Sequence, residues 1–330
     1  MIARFTRAPQ RLERFGLDTD RRRILYAFGA AILLFLLGEL VHPGFAAFKS
    51  VESILIIASF VGLVAAGQTF VILIGGIDLS VPWVLNGAAI LMVTSSLGKD
   101  ENALYAIAVT LGMGLAVGLL NGLGIAFLSV PAVVMTLGMN GLMEGLTLGL
   151  SDGMTCHTCA SYAPPVVRNT VHGNLFGIST DILFWIAVTL LVSFVLSYTV
   201  FGRRTYALGN NPQASYLAGI NVKLLTVALY MLSGMFSALA GIALVGFGGQ
   251  ASLGMGDPFL FQSIAAVVIG GVYILGGRGH YLGTAAGAVT LVALLTVLMA
   301  VNMPEYGRNI IYGVVILLLL LLYGRQEQET

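Results

Sequence analysis

Apolar runs of about twenty residues, the length an α-helix needs to cross a bilayer, recur along the chain between clusters of charged and turn-forming residues. Ten are marked, at approximately 24–41, 54–74, 82–97, 103–128, 131–150, 182–200, 224–247, 262–276, 282–302 and 309–323. The pattern predicts an all-α, polytopic membrane protein with about ten transmembrane helices and both termini on one side. The runs 82–97 and 262–276 are the shortest for a full crossing. Two connections are long enough to hold structure, 151–181 and 201–223, and the others are tight. The first run follows a basic stretch, as a signal peptide would, but exceeds a usual signal core in length and is read as a retained span. The chain therefore divides into a basic segment 1–23, one transmembrane domain 24–323 and a tail 324–330.

Composition sharpens this reading. Hydrophobic residues make up 58% of the 330 positions and charged residues 9%, against roughly 25% charged in a soluble domain, which excludes a water-soluble globule. The 42 glycines follow no collagen period and suit closely packed membrane helices. The net charge of +1 is uninformative, but its placement is not. Seven arginines (Arg4, Arg7, Arg11, Arg14, Arg21, Arg22, Arg23) precede the first run. With the N-terminus in the cytoplasm, these join Arg203, Arg204, Lys223, Arg278 and Arg325 to give twelve basic residues inside, against Lys49, Lys99, Arg168 and Arg308 outside. That asymmetry obeys the positive-inside rule, placing both termini and 201–223 in the cytoplasm and 151–181 in the periplasm.

Several chemistries have no residues to carry them. There is no phosphate-binding loop, since the one Gly-Lys pair, Gly98-Lys99, is followed by Asp100 and lacks the upstream glycine. The chain is thus expected to bind no cofactor or metal and to hydrolyse no ATP. H-E-x-x-H and G-x-S-x-G are also absent. His42, His157, His172 and His280 fall in loops or at helix ends, which argues against a histidine proton relay within the membrane. Cys156-His157-Thr158-Cys159 lies in the periplasmic loop, where a disulfide is permitted; a loop staple, idle thiols and a metal or redox pair are all compatible with it.

Polar groups inside the apolar runs need a reason, because a buried charge there costs roughly 2.5–3.5 kcal/mol. In the fifth run Thr136, Asn140 and Glu144 are spaced i, i+4, i+8, with Thr147 one turn on, so they share a face. They read either as lining of a solute pathway or as hydrogen bonds between helices. Gly141, Gly145 and Gly149 of the same run, like Gly114, Gly118 and Gly122 of the fourth, form small-residue ridges that read as packing. Gln68, Thr69, Asn86, Asn121, Gln262 and Thr284 add neutral polar groups elsewhere. Hydroxyls and amides with hardly a charge suit a neutral, hydroxyl-rich solute better than an ion or an ion-coupled one.

The 202–222 segment has strong local grammar. Asn211 suits a helix N-cap, Pro212 the first helical position and Gly219 the residue just past the end. A two-turn helix outside the membrane follows, with Ala214, Leu217 and Ala218 free to dock in a groove of a cytoplasmic partner; a plain connection is the simpler alternative. The chain here resembles a known family, the inner-membrane permeases of bacterial sugar ABC importers of the ribose, xylose, arabinose and galactofuranose type. The most specific block is Gly67-Gln68-Thr69-Phe70-Val71-Ile72-Leu73-Ile74-Gly75-Gly76-Ile77-Asp78-Leu79-Ser80-Val81, close to the family's G-M-T-x-V-I-x-x-G-G-I-D-L-S-V. Ala207-x-Gly209-Asn210-Asn211-x-x-Ala214-x-x-x-Gly219-Ile220-Asn221-Val222 resembles its coupling region. Ala266–Gly271 with Gly276-Gly277-Arg278-Gly279 resembles a late helical block. Gln68 stands where methionine is usual and Pro82 where glycine is usual.

The resemblance implies a subunit that is not itself an enzyme. Two permease chains, identical or different, would form the pathway, a cytoplasmic ABC ATPase carrying ATP and Mg would dock on the 211–219 helix, and a periplasmic sugar-binding protein would deliver solute. Asp78 and Ser80 read as a gate element at the cytoplasmic ends of the second and third spans, or as caps of the third helix. A related permease for a branched-chain amino acid, nucleoside or signalling molecule is the alternative. An ATP-independent carrier would call for paired intramembrane charges, which the chain lacks. In a background free of Cys156 and Cys159, a cysteine at position 210 should resist an impermeant thiol reagent in intact cells while one at position 160 reacts; labelling at 210 would overturn the orientation.

Overall fold

The computed structural model describes residues 10–151 and 162–304, with 306–308, 310–311, 313–314 and 317 beyond them. Helices account for almost all of it: α1 (Gln10–Val41), α2 (Phe48–Ile72), α3 (Val81–Ser96), α4 (Ala103–Phe127), α5 (Ala132–Leu150), α6 (Pro165–Val171), α7 (Thr180–Tyr198), α8 (Val200–Asn210), α9 (Pro212–Leu217), α10 (Val222–Gly248), α11 (Asp257–Ile269) and α12 (Tyr281–Ala300). The departure from an all-α chain is a small antiparallel hairpin, β1 (Asn174–Leu175) and β2 (Ile178–Ser179). Within the described residues six helical segments are long and apolar enough to cross a membrane, belonging to α1, α2, α4, α7, α10 and α12. The Cys156–Cys159 pair, position 160 and most of the run 309–323 lie outside the described residues.

Two expectations need correction. The run 262–276 is not one helix: α11 begins earlier, at Asp257, and stops at Ile269, because Gly271 turns left-handed (φ +82°) and the chain then loops to His280. The connection 201–223 holds two helices, since α8 continues almost directly from α7 before α9 begins. Two stretches of like sequence, Ile74-Gly75-Gly76-Ile77 and Ile269-Gly270-Gly271-Val272, are both helix stops. Gly75 and Gly271 both have positive φ, and the next residue's N–H returns to the carbonyl five positions back, Gly76 to Val71 (3.0 Å) and Val272 to Val267 (3.2 Å).

The short helices α3 and α11 have 16 and 13 residues, about 24 and 20 Å at 1.5 Å per residue, less than the ~30 Å hydrocarbon core. Their length follows from where they begin. The linker between α2 and α3 doubles back along α2, so that Asp78 is hydrogen-bonded to Gln68, more than a turn before the end of α2. Gly256, which precedes α11, lies against the backbone of Pro82 in the first turn of α3, with no room for a side chain. Both helices thus start inside the bundle, side by side at their N-termini.

The centre of the bundle is α10, packed on α4, α2 and α3, while α12 packs on α1, α11 and α2. The α4–α10 contact is a backbone-to-backbone approach. A methyl group at Gly114, Gly118 or Gly122 would strike Gly234, Tyr230 or Val227, and one at Gly234 would strike Gly114 in return. In a membrane, where lipid competes for apolar surface, such close approach supplies the dispersion contacts that hold helices together. On α5 the same small-residue pattern has no such role within the chain: Gly138, Gly141, Gly145 and Gly149 have nothing within 4 Å, so the packing expected of them is not made here. A further tie joins three helices, the buried Tyr281 hydroxyl donating to the Gly62 carbonyl (2.8 Å) and accepting from Trp185 Nε1 (3.2 Å).

Gly118→Ala should destabilise the detergent-purified protein by about 1–3 kcal/mol through overpacking. Gly112→Ala on the same helix, where nothing lies within 4 Å, should leave the melting temperature unchanged or slightly raised. Equal behaviour of the two variants would contradict the close α4–α10 contact.

Candidate functional site: a buried linker and an exposed helix

The α2–α3 linker is built around one carboxylate. Asp78 is 1% exposed, and a charged group so placed survives only if hydrogen-bonded. One oxygen accepts from the Ser80 backbone N–H (3.0 Å) and the Ser80 hydroxyl (2.6 Å); the other accepts from the Ser233 hydroxyl of α10 (2.6 Å). Asn121 of α4 donates to the Ser80 hydroxyl (2.9 Å). The Gln68 amide of α2 clamps the Asp78 backbone, Nε2 donating to its carbonyl (2.6 Å) and Oε1 accepting from its N–H (3.3 Å). The Thr136 hydroxyl of α5 accepts from Leu79 N–H (3.0 Å). Side chains from α2, α4, α5 and α10 therefore converge on three linker residues.

Asp78 and Ser80 do not cap α3 in the usual way. Ser80 occupies the N-cap position without a side-chain bond to the helix, and the Trp83 N–H is accepted instead by Asn140 Oδ1 of α5 (3.4 Å). Of the residues singled out in the sequence, Gln68, Asp78, Ser80, Asn121 and Thr136 meet in this one network, with Asn140 a turn above. Asn86 is fully buried in α3 with no hydrogen-bond partner for its amide among the described residues. Glu144 is half-buried on α5, and no described residue bonds to it. A cavity of about 350 Å³ between α3, α4 and α5 is lined by Met113, Met139, Met143, Thr94 and Thr147 among others, but by neither Asn140 nor Glu144.

The network has one further member and one close neighbour without a bond in it. Ser233 supplies a direct bond to the carboxylate, and the buried Tyr230 hydroxyl sits against Gly76 without a partner among the described residues. Both lie on α10, more than 150 positions further along the chain, and a serine or tyrosine in an apolar run carries no mark of what it faces. The positions that depart from the resembled motif both belong here: Gln68 provides the two-bond clamp that a methionine could not, and Pro82 provides the surface on which Gly256 rests.

At the end of the bundle where α2 stops lies α9. Asn211 Oδ1 accepts from Ala214 N–H (2.9 Å), Pro212 opens the helix, and Gly219 (φ +81°) closes it, with Gly219 N–H bonded to Tyr216 and Ile220 N–H to Ser215. Tyr216 and Leu217 are 72% and 84% exposed. A groove of about 1150 Å³ runs beside them, between α9, the end of α4 and the start of α10, lined by Ile125, Ala126, Gln213, Ile220 and Lys223 in addition. Nearby, His280 caps α12, its Nδ1 accepting from Leu282 N–H (3.1 Å) and its Nε2 bonded to the Ser197 hydroxyl (2.8 Å); burial holds its pKa below the ordinary imidazole value. Among the described residues no group of three histidine, cysteine or acidic side chains is placed to hold a metal.

Residues 50–320 match the family described as branched-chain amino acid transport system / permease component. The chain is 33% identical over 300 residues to the ribose import permease protein RbsC of Escherichia coli strain K12, covering 90% of this chain and 92% of that one. Its identity to RbsC of Haemophilus influenzae is 33% over 298 residues, 89% and 91% of the two chains. With the autoinducer 2 import system permease protein LsrC of Escherichia coli O9:H4 it is 31% over 312 residues, 93% and 88%.

Removing the Ser233 hydroxyl leaves a buried carboxyl oxygen of Asp78 without its donor and should cost about 1–3 kcal/mol. Ser233→Ala should therefore melt well below the parent, whereas Ser237→Ala, which loses only a bond to the Ser233 carbonyl within α10, should lie close to it. Melting temperatures in one detergent decide the comparison, and parity of the two would argue against the network.

Proposed function

The chain belongs to the family of permease components of branched-chain amino acid type transport systems, and from that premise we propose that it is the membrane subunit of an ATP-binding-cassette importer for a sugar or sugar-like solute. The protein is a multi-pass inner-membrane transport subunit, not an enzyme. What carries the solute class is likeness over nine tenths of the chain to ribose and autoinducer 2 import permeases. The interior is consistent with it, offering amides and hydroxyls and hardly a charge. A zwitterionic amino acid would draw on Glu144, the one carboxylate of α5, and is the weaker reading because no cationic group accompanies it there.

In the proposed assembly about ten membrane helices, of which α3 and α11 are too short to cross by themselves, leave both termini in the cytoplasm, with the 24–323 domain forming one unit, the periplasmic side carrying 151–181 and the cytoplasmic side 201–223. A second permease chain completes the pathway; the open glycine face of α5 is a surface suited to close approach by another helix. ATP and Mg are held by a separate cytoplasmic ATPase, and a periplasmic binding protein hands over the solute. The residues Asn211, Pro212, Ala214, Leu217 and Gly219 shape the ATPase-docking helix. Gln68, Asn86, Asn121, Thr136, Asn140 and Glu144 border the pathway, with Asp78 and Ser80 at its gate. Nucleotide binding favours one of two arrangements of the membrane subunits because the ATPase binds them with different affinity, as alternating access requires.

Leu217→Asp tests the docking helix. Leu217 is exposed in the isolated chain, so its replacement should leave folding intact, while an unpaired carboxylate buried against a partner costs several kcal/mol. The permease should be made at normal level, the ATPase should no longer co-purify, and uptake should be lost. Retention of both would remove α9 from the interface.

A further inference from the structure

Three separate stretches of backbone meet beneath α9. They are the end of α8 at Gly209 and Asn210, the end of α2 at Leu73–Gly75, and the α11–α12 loop at Leu275–Gly279. Glycines make the approach possible. A methyl group at Gly209 would strike the Leu73 carbonyl and Gly277, one at Gly276 would strike Leu73, Gly75 and Gly209, and one at Gly277 would strike Asn210. Gly276 and Gly277 also have φ of +95° and +80°, which other residues rarely adopt. The Gly277 N–H donates to the Leu73 carbonyl (2.8 Å), so the loop is bonded directly to the last turn of α2. Tyr206 of α8 reaches the same loop, its hydroxyl donating to the Gly279 carbonyl (2.7 Å).

A second side chain of α8 reaches this loop, at the glycine that is bonded to α2. Asn210 Nδ2 donates both to the Tyr206 carbonyl of its own helix (2.8 Å) and to the Gly277 carbonyl (3.0 Å). The same glycine therefore accepts from Asn210 and donates to Leu73. Asn210 stands two residues before α9 opens, and Leu73 stands five residues before Asp78. The chain of contacts between the two is short: Asn210 to Gly277, Gly277 to Leu73, then the backbone from Leu73 to the linker that the buried network holds at 77–80.

We propose that Asn210 is the positioning residue that couples the exposed α9 helix to the buried Asp78 linker, its amide donating to Gly277 so that movement of α9 is passed to the end of α2. The proposal rests on the reading of α9 as the ATPase-docking helix. Asn210 touches no solute, and its action is through Gly277. Asp at this position keeps the size of the side chain but removes the donor and sets a carboxylate against a carbonyl oxygen; Ala removes the side chain altogether.

The test uses the permease co-purified with its ATPase in lipid nanodiscs, with Cys156 and Cys159 replaced by serine. Ile77→Cys is the reporter, a half-buried linker position labelled with a maleimide before and after trapping with ATP and vanadate. With Asn210 present, trapping should change the labelling rate several-fold. With Asn210→Asp or Asn210→Ala the ATPase should remain bound and hydrolyse ATP at the parent rate, while labelling no longer responds to trapping. A preserved response in the aspartate variant overturns the proposal, as does loss of ATPase binding in either variant, because Asn210 would then belong to the fold or the interface. No response with Asn210 present also overturns it. Leu217→Asp, run alongside, separates the two ideas: an ATPase that stays bound to that variant defeats the docking assignment itself, whatever Asn210 does.

Discussion

A carboxylate with almost no access to water, set among apolar helices, constrains much of this structure. Asp78 requires donors, and they come from the Ser80 backbone and hydroxyl and from Ser233 of α10. To present them, the linker must fold back along α2, where Gln68 satisfies the Asp78 backbone N–H and carbonyl in place of the missing ladder. Each buried polar group then needs its own partner, which brings in Asn121 and Thr136. The shortness of α3 follows from the same requirement, because its first turn starts at the depth of this network.

Close backbone approach is the second constraint, and it works by absence of side chains. Along α4 and α10 the glycines let two helices touch at their main chains, making a rigid pair at the centre of the bundle. Near α9 they let the ends of α8 and α2 meet the α11–α12 loop, where the Gly277 N–H bonds to the Leu73 carbonyl. The α5 glycines have the same spacing and no neighbour. The residue pattern for contact is thus identical whether the contact is inside the chain or left open on its outside.

Together these features divide the molecule into a closely packed interior and an exposed element joined to it through α8 on one side and the start of α10 on the other. The α9 helix has well-satisfied ends, through the Asn211 cap and the Gly219 closure, yet buries little of its own surface. A helix of six residues is too short to be stable by itself; its shape is maintained by its caps and by α8. The Asn210–Gly277–Leu73 hydrogen bonds tie the chain just before this element to the end of α2.

The sequence by itself determined the membrane character, the positions of most helices and the α9 helix with both its ends, because apolar run length and cap residues are local signals that need no knowledge of neighbours. It also singled out Gln68, Asp78, Ser80, Asn121 and Thr136 as polar groups needing a reason. It could not say that they form one network, nor that Ser233 belongs to it and Tyr230 lies beside it, because a polar residue in an apolar run looks the same whichever helix it faces. The spacing of the α5 glycines reads as packing without naming the neighbour, and the hydrophobicity of 262–276 reads as a single span; the first depends on which surface is present, the second on a left-handed turn at Gly271. Tertiary structure decided these points because burial, partner identity and depth in the bundle are relations between distant segments, and hydrophobic periodicity records only one helix at a time.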